Sequence, residues 1–200
     1  MVEEFRGTKE PVNSKEEICE TQQARAGIRA SYAATIVTTP VGLLPGTQYQ
    51  LVFVTQDLFF ASTSSISTYN ANVAAEAALN ATLAAFDTAN GVTWTVIGST
   101  SAVNANVNAP SSGLVYTLDG TKVASSGLYG GSLLSPIDIT QFGNLLSGNV
   151  WTGSTTSGTG QPITNVLGGA FPEYGQSNSI TGSWIAFDNN IPQSPNIESF

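Results

Sequence analysis

A chain of 200 residues with 41% hydrophobic content can bury one sizeable core but falls short of two full domains of ordinary size. Its 14 acidic and 6 basic residues give a formal charge of −8, which disfavours a duplex nucleic acid or an anionic membrane surface as partner. With no His anywhere, and no Cys or Arg after residue 30, a Ser-His-Asp, Cys-His or His-ligated metal site cannot be assembled in the body of the chain.

Residues 1–33 read as a polar N-terminal arm or leader remnant. Five of the six cations lie here, at Arg6, Lys9, Lys15, Arg25 and Arg29, and Phe5, Ile18 and Ile28 are the apolar positions expected to anchor the arm on a neighbouring subunit. Ser31-Tyr32-Ala33 before Ala34 has the small residues of a signal-peptidase site, yet the apolar run of a signal core does not precede it. Either the leader lies outside this chain or the start is an unprocessed segment with another role. Cys19 is single and forms no internal disulfide, so packing alone must hold the domain.

Residues 34–190 are expected to form one globular α+β domain, and residues 191–200 a C-terminal tail. From Ser31 onward the only cation is Lys122, and the body is rich in Ser, Thr, Asn and Gly. Overall only 10% of residues are charged, against about 25% in typical soluble domains. That composition favours an exported address. No stretch approaches the ~18 consecutive apolar residues of a membrane span.

Within the body, Tyr49-Gln50-Leu51-Val52-Phe53-Val54-Thr55 is β-branched and aromatic, and predicts a central strand after the Pro45-Gly46 turn. Apolar residues at Ile66, Tyr69, Val73, Ala77, Leu79, Leu83 and Phe86 recur near a 3.6-residue period. They predict one long helix over 66–89, capped by Ser64 or Ser65 and closed by Asn90-Gly91. Residues 92–97 predict a second strand, and residues 114–118 and 121–124 a hairpin about Asp119-Gly120 in a type I′ turn. From Gly127 to Gly182 the chain reads mostly as loop around Asn149-Val150-Trp151-Thr152-Gly153, and Ser183-Trp184-Ile185-Ala186-Phe187 as a last strand. The expected fold is therefore α+β, one long helix packed on a mainly antiparallel sheet with long Gly/Ser/Thr-rich loops.

Several segments in order carry a resemblance: Leu51-Val52-Phe53-Val54-Thr55, Ile66-Ser67-Thr68-Tyr69-Asn70-Ala71-Asn72-Val73, Thr93-Trp94-Thr95-Val96-Ile97-Gly98-Ser99-Thr100, Leu118-Asp119-Gly120-Thr121-Lys122-Val123-Ala124, Leu128-Tyr129-Gly130-Gly131-Ser132-Leu133-Leu134-Ser135-Pro136-Ile137 and Val150-Trp151-Thr152-Gly153-Ser154. Together they resemble exported bacterial proteins of the PEP-CTERM-sorted type, and the order of elements is similar to a C-type-lectin-like or endostatin-like domain. The resemblance implies export to the cell surface or exopolysaccharide matrix. The chain departs from that pattern at Gln56-Asp57-Leu58-Phe59-Phe60 and Asn104-Ala105-Asn106-Val107-Asn108, where charged stretches are usual, and Ile191-Pro192-Gln193-Ser194-Pro195 stands where a sorting tail would begin.

What chemistry remains is carboxylate chemistry, with Asp57, Glu76, Asp87, Asp119, Asp138, Glu173 and Asp188 as candidates. Glu76 reads as part of a solvated helix face and Asp119 as a turn residue, so no catalytic residue is assigned. Calcium would need several converging oxygen ligands. The lectin signatures Glu-Pro-Asn and Gln-Pro-Asp are absent, Gln161-Pro162-Ile163 being a partial match, and no metal site and no cofactor are assigned. Trp94, Trp151 and Trp184 lie in apolar runs that suit a core. If a ligand docks, the loop 154–179 is the place, with Trp151, Asn165 and Tyr174 as the candidate binding residues. The expected function is a non-enzymatic exported surface or extracellular-matrix protein, a structural or accessory subunit acting through other protein subunits. The alternatives are a glycan-binding lectin-like module that takes extracellular polysaccharide, and a carboxylate-dependent glycoside hydrolase.

Overall fold

The structure, a computed structural model, describes residues 35–188 and 198–199. The expected arm, with Phe5, Ile18 and Ile28, lies outside the described residues. Those that are described fall within one compact unit, Ala33–Phe200.

Among the described residues the fold is a small α+β arrangement of three helices and two three-stranded sheets. In the first sheet β1 (Tyr49–Val52) pairs in parallel with β2 (Leu114–Thr117), which pairs antiparallel with β3 (Lys122–Ala124). In the second, β4 (Asn149–Trp151) lies between antiparallel β5 (Tyr174–Gln176) and parallel β6 (Glu198–Ser199). Two residues of the expected tail thus extend a sheet. One apolar core joins both sheets and the helices, from Val52, Phe53 and Val54 through Tyr69, Val73 and Leu83 to Trp151, Tyr174 and Trp184.

The single long helix is replaced by two, α1 (Ile66–Ala78) and α2 (Ala81–Asn90). Asn80 causes the break: its backbone is extended and its side chain accepts hydrogen bonds from the N–H groups of Thr82 and Leu83 at 2.9 and 3.3 Å, which starts a new helix. Ser65 occupies the N-cap position of α1, but its side chain makes no capping bond. Gly91 closes α2 at φ +64°, as the Asn-Gly pair predicts.

The Asp-Gly hairpin forms, but not through a type I′ turn. Among the described residues only glycines have positive φ, so Asp119 cannot supply the first left-handed position. Gly120 alone does so, at φ +86°, and its N–H donates to the Thr117 carbonyl at 3.0 Å. Residues 92–97, expected as a strand, join no ladder among the described residues. The amide side chains of Asn70 and Asn108 take the place of a neighbour, binding Val96 N–H and Val96 C=O at 2.9 Å each. A short helix α3 (Ala105–Asn108) holds Asn108 in position. The last expected strand, 183–187, is instead a 3-10 turn at Gly182–Trp184, whose start is capped by the Thr181 hydroxyl. No helix among the described residues is long and apolar enough to cross a membrane.

Candidate functional site

The three ligand-binding residues expected from sequence do not assemble a site. Trp151 is 0% exposed, so its ring faces are not available for stacking on a sugar; it packs edge-on against Tyr174 at 6.4 Å between ring centres. Tyr174 is buried in turn and meets Phe187 on its other side. Burial, reinforced by the charges of Asp188 and Glu173, holds its hydroxyl above the usual tyrosine pKa. Asn165 serves its own loop, donating to the Phe171 carbonyl at 2.8 Å and accepting from the Thr164 hydroxyl at 2.9 Å.

Glu76 is not on a solvated face. At 4% exposure it points inward from α1, accepts from the buried Gln141 side chain, and also accepts from Asp57 N–H at 3.3 Å. Gln141 in turn accepts from Gln56 N–H at 3.0 Å, so the pair clamps the segment after β1 onto α1. Burial, and after it the nearby Asp57 charge, raises the Glu76 pKa above the ordinary glutamate value despite these hydrogen bonds. Folding therefore favours protonated Glu76. Its contribution to stability is fully present below the unfolded carboxyl pKa of about 4.3, and is lost as pH rises through the raised folded value. The melting temperature of the native chain relative to Glu76→Gln is expected to be highest near pH ~4 and to decline toward pH ~7. A constant difference across that range would show that folding leaves this carboxyl's titration unchanged.

Asp119 has the turn role read from sequence. Partial burial opposes its ionisation, but hydrogen bonds from the Thr117 hydroxyl at 2.6 Å and Thr121 N–H at 2.9 Å outweigh that and lower its pKa. Asp138 is raised by burial and then by the Asp119 charge. Among the described residues no three His, Cys, Asp or Glu side chains come together to hold a metal ion.

A concavity lies elsewhere, in a cleft of about 420 Å³ between the first sheet and the α1–α2 pair. Residues 49–53 form one wall and residues 92–95 the other, with Val73 and Phe86 from the helices and Asn108 to Ser111 at the remaining side. Its volume falls in the ordinary range for ligand sites. Its lining includes no Asp, Glu, Lys or Arg. Trp94 is half-buried and fixed, its indole N–H donating to Asp87 at 2.8 Å and its ring meeting Phe53 edge-on at 4.9 Å.

Most polar side chains around the cleft already have partners. Gln50 donates to the Pro110 carbonyl and accepts from the Ser111 hydroxyl, both at 2.8 Å. Asn108 and Asn70 exchange two amide hydrogen bonds of 2.9 Å, and the Tyr49 hydroxyl donates to the Thr38 carbonyl at 2.7 Å. By contrast, the main-chain N–H and C=O groups of Thr93, Trp94 and Thr95 have no hydrogen-bond partner among the described residues. Sequence reasoning took residues 92–97 for an ordinary strand. The missing neighbour was not visible locally.

Compared with protein-family models, curated proteins and solved structures, the chain matches none of them.

Proposed function

We propose that the chain is a non-enzymatic, exported surface or extracellular-matrix protein that works as a structural or accessory subunit through contacts with other protein chains. The observation that carries this reading is the makeup of the cleft. A lining without carboxylates, amines or imidazoles has no group to exchange protons with a substrate near neutral pH, but it can bury an apolar partner. The buried carboxylates lie outside it and hold the fold: Glu76 binds Gln141, and Glu173 accepts from Gln161 at 3.2 Å. Val41 and Leu44, 95% and 78% exposed on one loop, add apolar surface that a partner would cover. The export part of the reading is supported by the charge-poor, hydroxyl-rich composition.

A glycan-binding module is the second reading, favoured by the half-buried Trp94 in the cleft wall. It is weaker because a sugar presents a ring of hydroxyls that needs several unengaged side-chain partners, whereas Gln50, Asn108 and Ser111 are already bound within the chain.

Formaldehyde cross-linking of the tagged full chain in its source cells, followed by fractionation, tests the proposal. The expected result is recovery from the surface or matrix fraction in cross-linked species with other protein chains. Recovery as an uncross-linked cytoplasmic monomer would overturn it. Release from the matrix by soluble oligosaccharide alone would favour the second reading.

A further inference from the structure

We propose that the cleft is a slot for strand addition, which takes an extended, uncharged segment of another protein chain between the outer edge of β1 and residues 92–95. This deepens, and rests on, the reading of the chain as a subunit that works through protein contacts.

Five consecutive residues of one wall, 49–53, and four of the other, 92–95, line the cleft. Successive side chains of an extended segment point to opposite sides, so in each consecutive run the main chain takes part in the lining beside the side chains. Among the described residues β1 is the end strand of its sheet and pairs with β2 alone, so the half of its N–H and C=O groups that point away from β2 face outward.

The opposite wall offers the same chemistry, since Thr93, Trp94 and Thr95 have unpartnered main-chain groups among the described residues. Such edges are usually blunted by Lys, Pro or a bulge. β1, Tyr-Gln-Leu-Val, has none of these and pairs with β2 in unbroken register. Main-chain hydrogen bonds on both sides would hold the guest, and its alternate side chains would settle on the apolar floor at Val73 and Phe86. A charged residue at those alternate positions would be buried without a counter-charge, which sets the guest's chemistry as uncharged and apolar.

The test uses the full chain and the capped peptide acetyl-Ser-Val-Thr-Val-Thr-Val-Ser-amide, with two analogues N-methylated either at the three Val or at the two Thr. Each analogue keeps the side chains but removes the central main-chain donors of one peptide edge. The parent peptide is expected to bind and to slow exchange of the slot-facing amides among residues 93–95 and of the outward amides of β1 by at least tenfold. Each methylated analogue should bind at least tenfold more weakly. Thr93 is exposed, and Thr93→Lys should weaken binding at least tenfold by charging the edge, with an unchanged circular dichroism spectrum showing that the variant is folded. Equal binding of parent and methylated peptides would overturn the strand geometry, as would no binding to a chain shown to be folded. Slowed exchange of the same amides on concentrating the chain without peptide would make the occupant a second copy and overturn the partner assigned here. If the peptide results fail while cross-linked protein assemblies persist in the source cells, the slot assignment falls and the subunit reading stands on another surface.

Discussion

Gly175→Ala is expected to destabilise the domain at or above the upper end of the about 1–3 kcal/mol that overpacking usually costs. Gly175 is buried at the centre of β5, opposite Val150 of β4. A Cβ there would lie 2.0 Å from the Trp184 carbonyl oxygen, 2.6 Å from its carbon and 2.9 Å from the Ile185 Cα. All three are main-chain atoms, so no side chain can swing away. Relief requires parting β5 from the 3-10 turn, which strains the main-chain hydrogen bonds that Tyr174 makes with Phe187 and Asp188 just beyond that turn. Gly131→Ala is the control, since a Cβ added there meets nothing within 4 Å and its φ is not left-handed. Urea titration of both variants measures the difference. A loss below about 0.5 kcal/mol for Gly175→Ala, within the scatter of ordinary surface changes, would show that strand and turn are not in contact as described.

Trp184→Ala is expected to cost about 3–5 kcal/mol, as truncation of a fully buried aromatic does. Trp184 is 1% exposed and lies against Tyr129 at 6.4 Å between ring centres. Domains of this kind are stable by only about 5–15 kcal/mol, so the variant should lose a large share of its folded population on mild warming. Trp184→Phe keeps much of the apolar volume and should lose clearly less. Because Gly175 and Trp184 touch, the two losses are not expected to add in the double variant. A Trp184→Ala change within about 0.5 kcal/mol would mean that the ring lies at the surface.

The features legible in the sequence are those that depend on a few adjacent residues. The Asn-Gly pair ends α2 because glycine takes the left-handed conformation without a Cβ clash, and the Asp-Gly pair closes the β2–β3 hairpin for the same reason. The turn type was misread because Gly120 supplies the only positive φ there, whereas type I′ needs two. Apolar runs marked Trp184 as a core residue, and the α1–α2 region as helical. Asn80 was the overlooked local signal, since a helix-capping side chain sits within the apolar period.

The rest was decided by neighbours distant in the chain. Residues 92–97 have strand-forming side chains, but a strand needs a paired main chain, and Asn70 and Asn108 bind Val96 where a ladder would otherwise run. Glu76 looked solvated because its own helix says nothing about Gln141, 65 positions away, which folds over it. The sequence by itself determined the α+β class, the places of the two glycine turns, the apolar set that forms the core and a body almost without cations. Only the tertiary structure decided that β1 pairs in parallel with β2, that Trp151 and Tyr174 are core residues rather than a docking surface, and that an uncharged cleft opens between β1 and residues 92–95. The physical reason is that helix ends and turns are set by local backbone sterics, whereas strand pairing and clefts depend on which distant segments meet, and that is fixed by burial of the whole core at once.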